Sequence, residues 1–117
     1  MRILSDELED RALDCAVQKA LRGLISRHPL AYSTDWSLAG PIIEQAGIDI
    51  VNAENIGHEH RWMAAYPIRS GQRGDYSFGH TALVAAMRCF VAAKLGPEVE
   101  IPDELVTQEI RSRRRPP

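Results

Sequence analysis

Long apolar runs are missing from this chain, and no stretch approaches the roughly 20 residues that span a bilayer. The first residues, Met1-Arg2-Ile3-Leu4-Ser5-Asp6-Glu7, turn acidic where a signal peptide is apolar. Nothing directs the chain into a membrane or toward export, so a cytoplasmic protein is expected. Cysteine is equally scarce. Cys15 and Cys89 lie far apart, each among Ala, Leu, Val or Phe, and no C-x-x-C spacing exists to support a zinc knuckle. In a reducing compartment both read as buried, free thiols rather than a disulfide. Internal repeats and interdomain linkers are absent too. Gly71 to Gly74 holds too few glycines, and lacks the lysine, for a phosphate-cradling loop.

What is present suits one folded domain. The 117 residues are 44% hydrophobic, enough to bury a core and too apolar for a disordered chain. The formal charge is −2, and its distribution is uneven. Arg111, Arg113, Arg114 and Arg115 crowd the last seven residues, so ten basic residues face 16 acidic ones in the rest, a formal −6. Residues 1–110 are expected to form the domain, and 111–117 a basic, flexible tail.

Asp6-Glu7-Leu8-Glu9 has capping-box form, and the apolar spacing behind it predicts a helix from about Glu7 to about Leu24. Pro41 is tolerated in the first turn of a helix, where its missing N–H is harmless. A turn at Asp35 to Ala39 and a short helix from Pro41 to Ala46 follow, closed by a left-handed Gly47 and facing the core through Leu38, Ile42 and Ile43. Ile48 to Asn52 and Trp62 to Ile68 read as strands, the second with Trp62 and Tyr66 on one face. The loop from Ser70 to Asp75 is the expected mobile segment. Thr81 caps the strongest helix, which runs to Leu95, stops at Gly96-Pro97 and should be the central core helix. Glu98 to Ile101 alternates like an edge strand. A last helix starts near Pro102 with a thin apolar stripe, Leu105, Val106 and Ile110. The class is α+β: a small antiparallel β-sheet, a hairpin with a third edge strand as an option, packed by two main helices, plus a short helix and a C-terminal helix.

Tyr32-Ser33-Thr34-Asp35-Trp36-Ser37-Leu38-Ala39-Gly40-Pro41-Ile42-Ile43-Glu44 is too idiosyncratic for a generic helix or turn. It is followed in register by Gly79-His80-Thr81-Ala82-Leu83-Val84-Ala85-Ala86-Met87-Arg88. With Ala12-Leu13-Asp14, Trp62-Met63-Ala64 and Gly96-Pro97-Glu98-Val99, these blocks resemble the NinX-type proteins of phages and prophages over about Arg11 to Leu105. The chain departs from that pattern at Cys15 and Ala16, where an aromatic usually follows, and at Ala82, where a proline often stands. The resemblance implies an accessory protein acting inside a bacterial cell. It carries over no catalytic residues, because the family has none assigned.

Chemistry-bearing residues are few. His58-Glu59-His60 places two imidazoles on one face of an extended segment. A metal site needs a third and usually a fourth ligand, so neither metal nor cofactor is expected. Asp35 beside Trp36 is a candidate ligand contact, but it reads more simply as a turn cap next to a core aromatic; the same holds for Trp62. Asp10 and Asp14, four apart on the first helix, read as a solvated face. No motif assembles a catalytic set, and the leading expectation is non-enzymatic binding of a host or phage protein by a monomer or small homo-oligomer. The alternative is a small-molecule or catalytic pocket near Asp35, Trp36, Trp62, His58 and His60. A third reading is nucleic-acid binding through Arg111, Arg113, Arg114 and Arg115, although no helix-turn-helix or stacking motif accompanies them.

Overall fold

The computed structural model describes residues 1–53, 61–66 and 76–113. In order, these form β1 (Arg2–Leu4), a 3-10 turn (Ser5–Glu7), α1 (Asp10–Arg22), α2 (Trp36–Ala46), β2 (Asp49–Asn52), β3 (Trp62–Ala65) and β4 (Tyr76–Gly79). They continue as α3 (Ala82–Leu95), β5 (Glu98–Glu100), a second 3-10 turn (Asp103–Leu105) and α4 (Gln108–Arg113). This is an α+β fold with two small antiparallel sheets among the described residues, β2-β3-β4 and β1-β5.

The core is organised around α3. Every residue from Leu83 to Val91 is buried, as a helix apolar on all sides must be. It packs against the β2-β3-β4 sheet, α1, α2, β5 and the first 3-10 turn. Thr81 caps it as expected, its hydroxyl accepting the Val84 N–H at 3.1 Å. Ile50, Ala64 and Ser77 form one cross-strand row of the sheet, and Asn52, Trp62 and Gly79 the next. These rows hold the buried Ala64, Ser77 and Gly79, and Trp62 and Tyr66 pack partly buried on the core. The opposite face carries Val51, Met63 and Phe78, with Tyr76 edge-on to Phe78 at 5.8 Å between ring centroids.

Several elements differ from the sequence reading. The third strand beside the expected hairpin is β4, while 98–100 pairs with β1 in a sheet of its own. The hairpin's second strand ends at Ala65 within the described residues, and 67–75, including the loop expected to be mobile, lie outside them.

The capping box at Asp6 does not form. Leu8 and Glu9 stay extended, and Asp10, the first residue of α1, takes a left-handed φ of 52°. The fully buried Leu8 explains why, because its carbonyl accepts the Arg88 Nε–H at 2.7 Å from across the core. Asp6 instead accepts the Ser77 hydroxyl at 3.1 Å. At its other end α1 stops at Gly23, left-handed at φ 76°, before the expected Leu24.

The C-terminal stripe is not left for a partner, since Leu105, Val106 and Ile110 are all buried. The C-terminal helix also takes in residues 111–113, expected to open the tail. Cys15 and Cys89 are both buried thiols. No helix among the described residues is long and apolar enough to cross a membrane.

Candidate functional site

The segment between α1 and α2 is short of regular structure and rich in polar anchors. The Leu30 N–H donates to the Gln18 side chain at 3.3 Å, and the Arg27 carbonyl accepts from Arg11 at 2.7 Å. The Arg27 guanidinium pairs with Glu104 at 2.9 Å. A turn follows, the Thr34 and Asp35 N–H groups both donating to the Ala31 carbonyl. Its most buried anchor is Asp14, whose carboxylate accepts the Ser33 N–H at 2.8 Å.

Asp14 is therefore buried rather than part of a solvated face. Burial pushes its pKa up, against the opposing pull of the Ser33 N–H and hydroxyl. The folded state accordingly holds the Asp14 proton more tightly than the unfolded chain does. As pH rises above the ordinary carboxylate range and through the raised pKa, ionisation of Asp14 works against folding, and the penalty is complete above that point. Asp14→Asn keeps an acceptor oxygen and removes the buried charge, whereas Asp14→Ala leaves the Ser33 N–H without its acceptor. Urea titration at neutral pH is expected to place Asp14→Asn near the parent and Asp14→Ala about 1–2 kcal/mol below it. Equal damage by the two would refute this account.

Asp35 caps α2. Its Oδ1 accepts the Ser37 N–H at 2.9 Å and the Ser37 hydroxyl at 2.6 Å, and these bonds hold its pKa below the usual carboxylate range. The helix thus begins at Trp36, five residues before the expected start, and Pro41 sits inside it. Pro41 is exposed, and its ring nitrogen has no N–H to donate to the Ser37 carbonyl. Gly47 ends the helix in the left-handed conformation, as the sequence indicated.

Trp36, expected in the core, is instead 56% exposed. At 100° per residue it stands about a quarter-turn from the inward stripe of Ala39, Ile42 and Ala46. Leu21, Leu24, Ile25 and Leu30 are exposed as well, Leu24 at 73%. Five of the eight large apolar side chains exposed among the described residues thus fall within 21–36.

The other candidates separate from this cluster. Trp62 belongs to the core side of β3. His58 and His60 lie outside the described residues, as do Arg114 and Arg115 and the side chain of Arg113. Arg111 is half-buried and donates to the Asp103 carbonyl at 2.8 Å and the Val106 carbonyl at 3.4 Å. No group of three or more His, Cys, Asp or Glu among the described residues is placed to hold a metal. Burial raises the pKa of the Cys15 thiol, which suppresses the thiolate a nucleophile needs.

An open cavity of about 310 Å³ does exist, but elsewhere. It is lined by Ala20, Leu21, Ile42, Gln45, Ala46, Tyr66, Phe90 and Lys94, and not by Asp35, Trp36 or Trp62. Sequence reasoning missed it because its walls come from the last turns of three helices, and no local spacing announces their convergence.

An α+β chain with an outward-facing Trp at a capped helix start is the class defined so far. The family model described as Bacteriophage P22, NinX, matches residues 27–94, more than half of the chain, and the chain belongs to that phage protein family. The match runs from Arg27 to Lys94, narrower than the 11–105 span of the expected resemblance. Among curated proteins, none matches the chain.

Proposed function

We propose that this phage-family protein is a non-enzymatic accessory factor that binds a host or phage protein in the bacterial cytoplasm, with Trp36 at the centre of the contact. The observation that carries the proposal is the concentration of exposed large apolar side chains within 21–36, on a segment that hydrogen bonds with α1 and an ion pair to Glu104 fasten down. Exposed apolar patches on small proteins mark interaction surfaces. Tryptophan is among the residues that dominate binding energy at such surfaces. A fixed segment loses little conformational freedom on binding, which favours affinity.

The Arg-tail reading is weaker by one arginine, because Arg111 is engaged with the Asp103 and Val106 carbonyls. Affinity capture of the tagged protein from host lysate, with and without nuclease, separates the two readings. The expected result is a protein partner that survives nuclease. Trp36→Ala should weaken its retention at least tenfold, as for a hot spot of about 2 kcal/mol, with an unchanged thermal midpoint. Partners that vanish with nuclease, or an identical set captured by Trp36→Ala, would overturn the proposal.

A further inference from the structure

The cavity at the helix ends is open at its mouth and exposes both apolar and polar surface, the polar share slightly the larger. Ala20, Leu21, Ile42, Ala46 and Phe90 supply apolar surface from α1, α2 and α3, and half-buried Tyr66 closes the side next to β3. The two polar side chains of the mouth, Gln45 and Lys94, are exposed. Lys94 forms no ion pair among the described residues. Nor do the helix ends require its ammonium. The Gly23, Gly47 and Gly96 N–H groups return to last-turn carbonyls at 2.7, 2.9 and 3.0 Å, satisfying part of each terminus from within the chain.

We infer that this cavity is a binding site for a small amphipathic anion, an apolar chain or ring carrying one carboxylate, with the apolar body on Ile42, Ala46 and Phe90 and the carboxylate on Lys94 and Gln45. The volume lies at the lower end of ligand cavities, roughly 300–1,000 Å³, which restricts the ligand to a small body. Charge selects its head. Lys94 stays open to water, so a neutral ligand leaves its ammonium hydrated, whereas a carboxylate adds a charge-assisted acceptor of the modest strength of an exposed ion pair. The Gln45 amide adds a donor to the same oxygen atoms. The site is separate from Trp36 and does not rest on the protein-binding proposal.

The probe pair is octanoate and octanol, titrated into the full-length, isotope-labelled protein and read by amide chemical shifts. Octanoate is expected to shift Leu21, Ala46 and Lys94 and to bind about fivefold or more tightly than octanol, the ratio a solvent-exposed ion pair supports. Lys94→Glu should erase or invert that preference while octanol binding stays within about twofold. Ala46→Trp, which fills the floor, should abolish both titrations with the spectrum otherwise that of a folded protein. Equal affinity for the two probes in the parent, shifts that map elsewhere, or no saturation at millimolar concentration would overturn the assignment.

Discussion

Arg88→Met is expected to remove about 3 kcal/mol of stability, a large share of the roughly 5–15 kcal/mol that holds a domain of this size together. Arg88 is 7% exposed in the middle of α3, where its Nε–H donates to the Leu8 carbonyl at 2.7 Å and its Nη1–H to the Phe78 carbonyl at 2.9 Å. One guanidinium thus ties the entrance of α1 and the strand β4 to the central helix. Exchanging a buried charge for an apolar side chain is sometimes harmless, because the desolvation penalty goes with it. That escape needs both partners to become apolar. Here the Leu8 and Phe78 acceptors are backbone carbonyls that no substitution removes, and methionine leaves them facing a thioether. Hydrogen bonds to charged groups contribute about 1.5–3 kcal/mol each, so two lost bonds outweigh the relief of desolvation. Urea denaturation decides the matter: a loss below about 1 kcal/mol would show that Arg88 contributes packing rather than fastening.

Arg88 also shows where the sequence stopped being legible. The helix that carries it was plain, because Leu83, Val84, Met87, Phe90 and Val91 recur at helical spacing behind a threonine cap. The role of Arg88 itself was not, because the two carbonyls it serves, of Leu8 and Phe78, take their position only in the assembled fold. The same dependence hid the true start of α1. Asp6 and Glu9 have the right chemistry for a capping box, but burial of Leu8 and the Leu8–Arg88 bond hold that stretch extended. Strand β4 escaped notice for a different reason. Its inward residues are Ser77 and Gly79 and its outward ones Tyr76 and Phe78, so the hydrophobic alternation is inverted and does not read as a half-buried strand. In the candidate site, the cap at Asp35 was readable from local chemistry. The direction of Trp36 was not, because it follows from where α2 begins and from the quarter-turn between Trp36 and the buried stripe. The cavity needed three helices in place before it existed at all.

Gly79→Ala and Gly40→Ala are the same chemical change and are expected to differ sharply in size of effect. A Cβ built on Gly79 would lie 2.5 Å from the Ala85 backbone nitrogen and 3.0 Å from both the Ala85 Cα and the Val84 carbonyl carbon. These are backbone atoms of the first turn of α3, so no side-chain rotation relieves the contact. Separating β4 from α3 instead would pull on the two residues that join them, His80 and Thr81, and on the Thr81 cap of Val84. It would also disturb the pairing of Gly79 with Trp62. Overpacking of this kind costs about 1–3 kcal/mol, and a rigid neighbour places the loss near 3, roughly 10 °C in thermal midpoint. Gly40 sits inside α2, and beyond its chain neighbours a Cβ there meets nothing within 4 Å. Alanine at that position lowers the entropy of the unfolded chain, worth about 0.5–1 kcal/mol, but the following Pro41 disfavours helical backbone for a residue with a Cβ, so little net change is expected. Thermal denaturation of both variants in one buffer gives the comparison. A Gly79→Ala protein as stable as its Gly40→Ala counterpart would mean that β4 does not press against the first turn of α3, and the packing described for that end of the core would have to be redrawn.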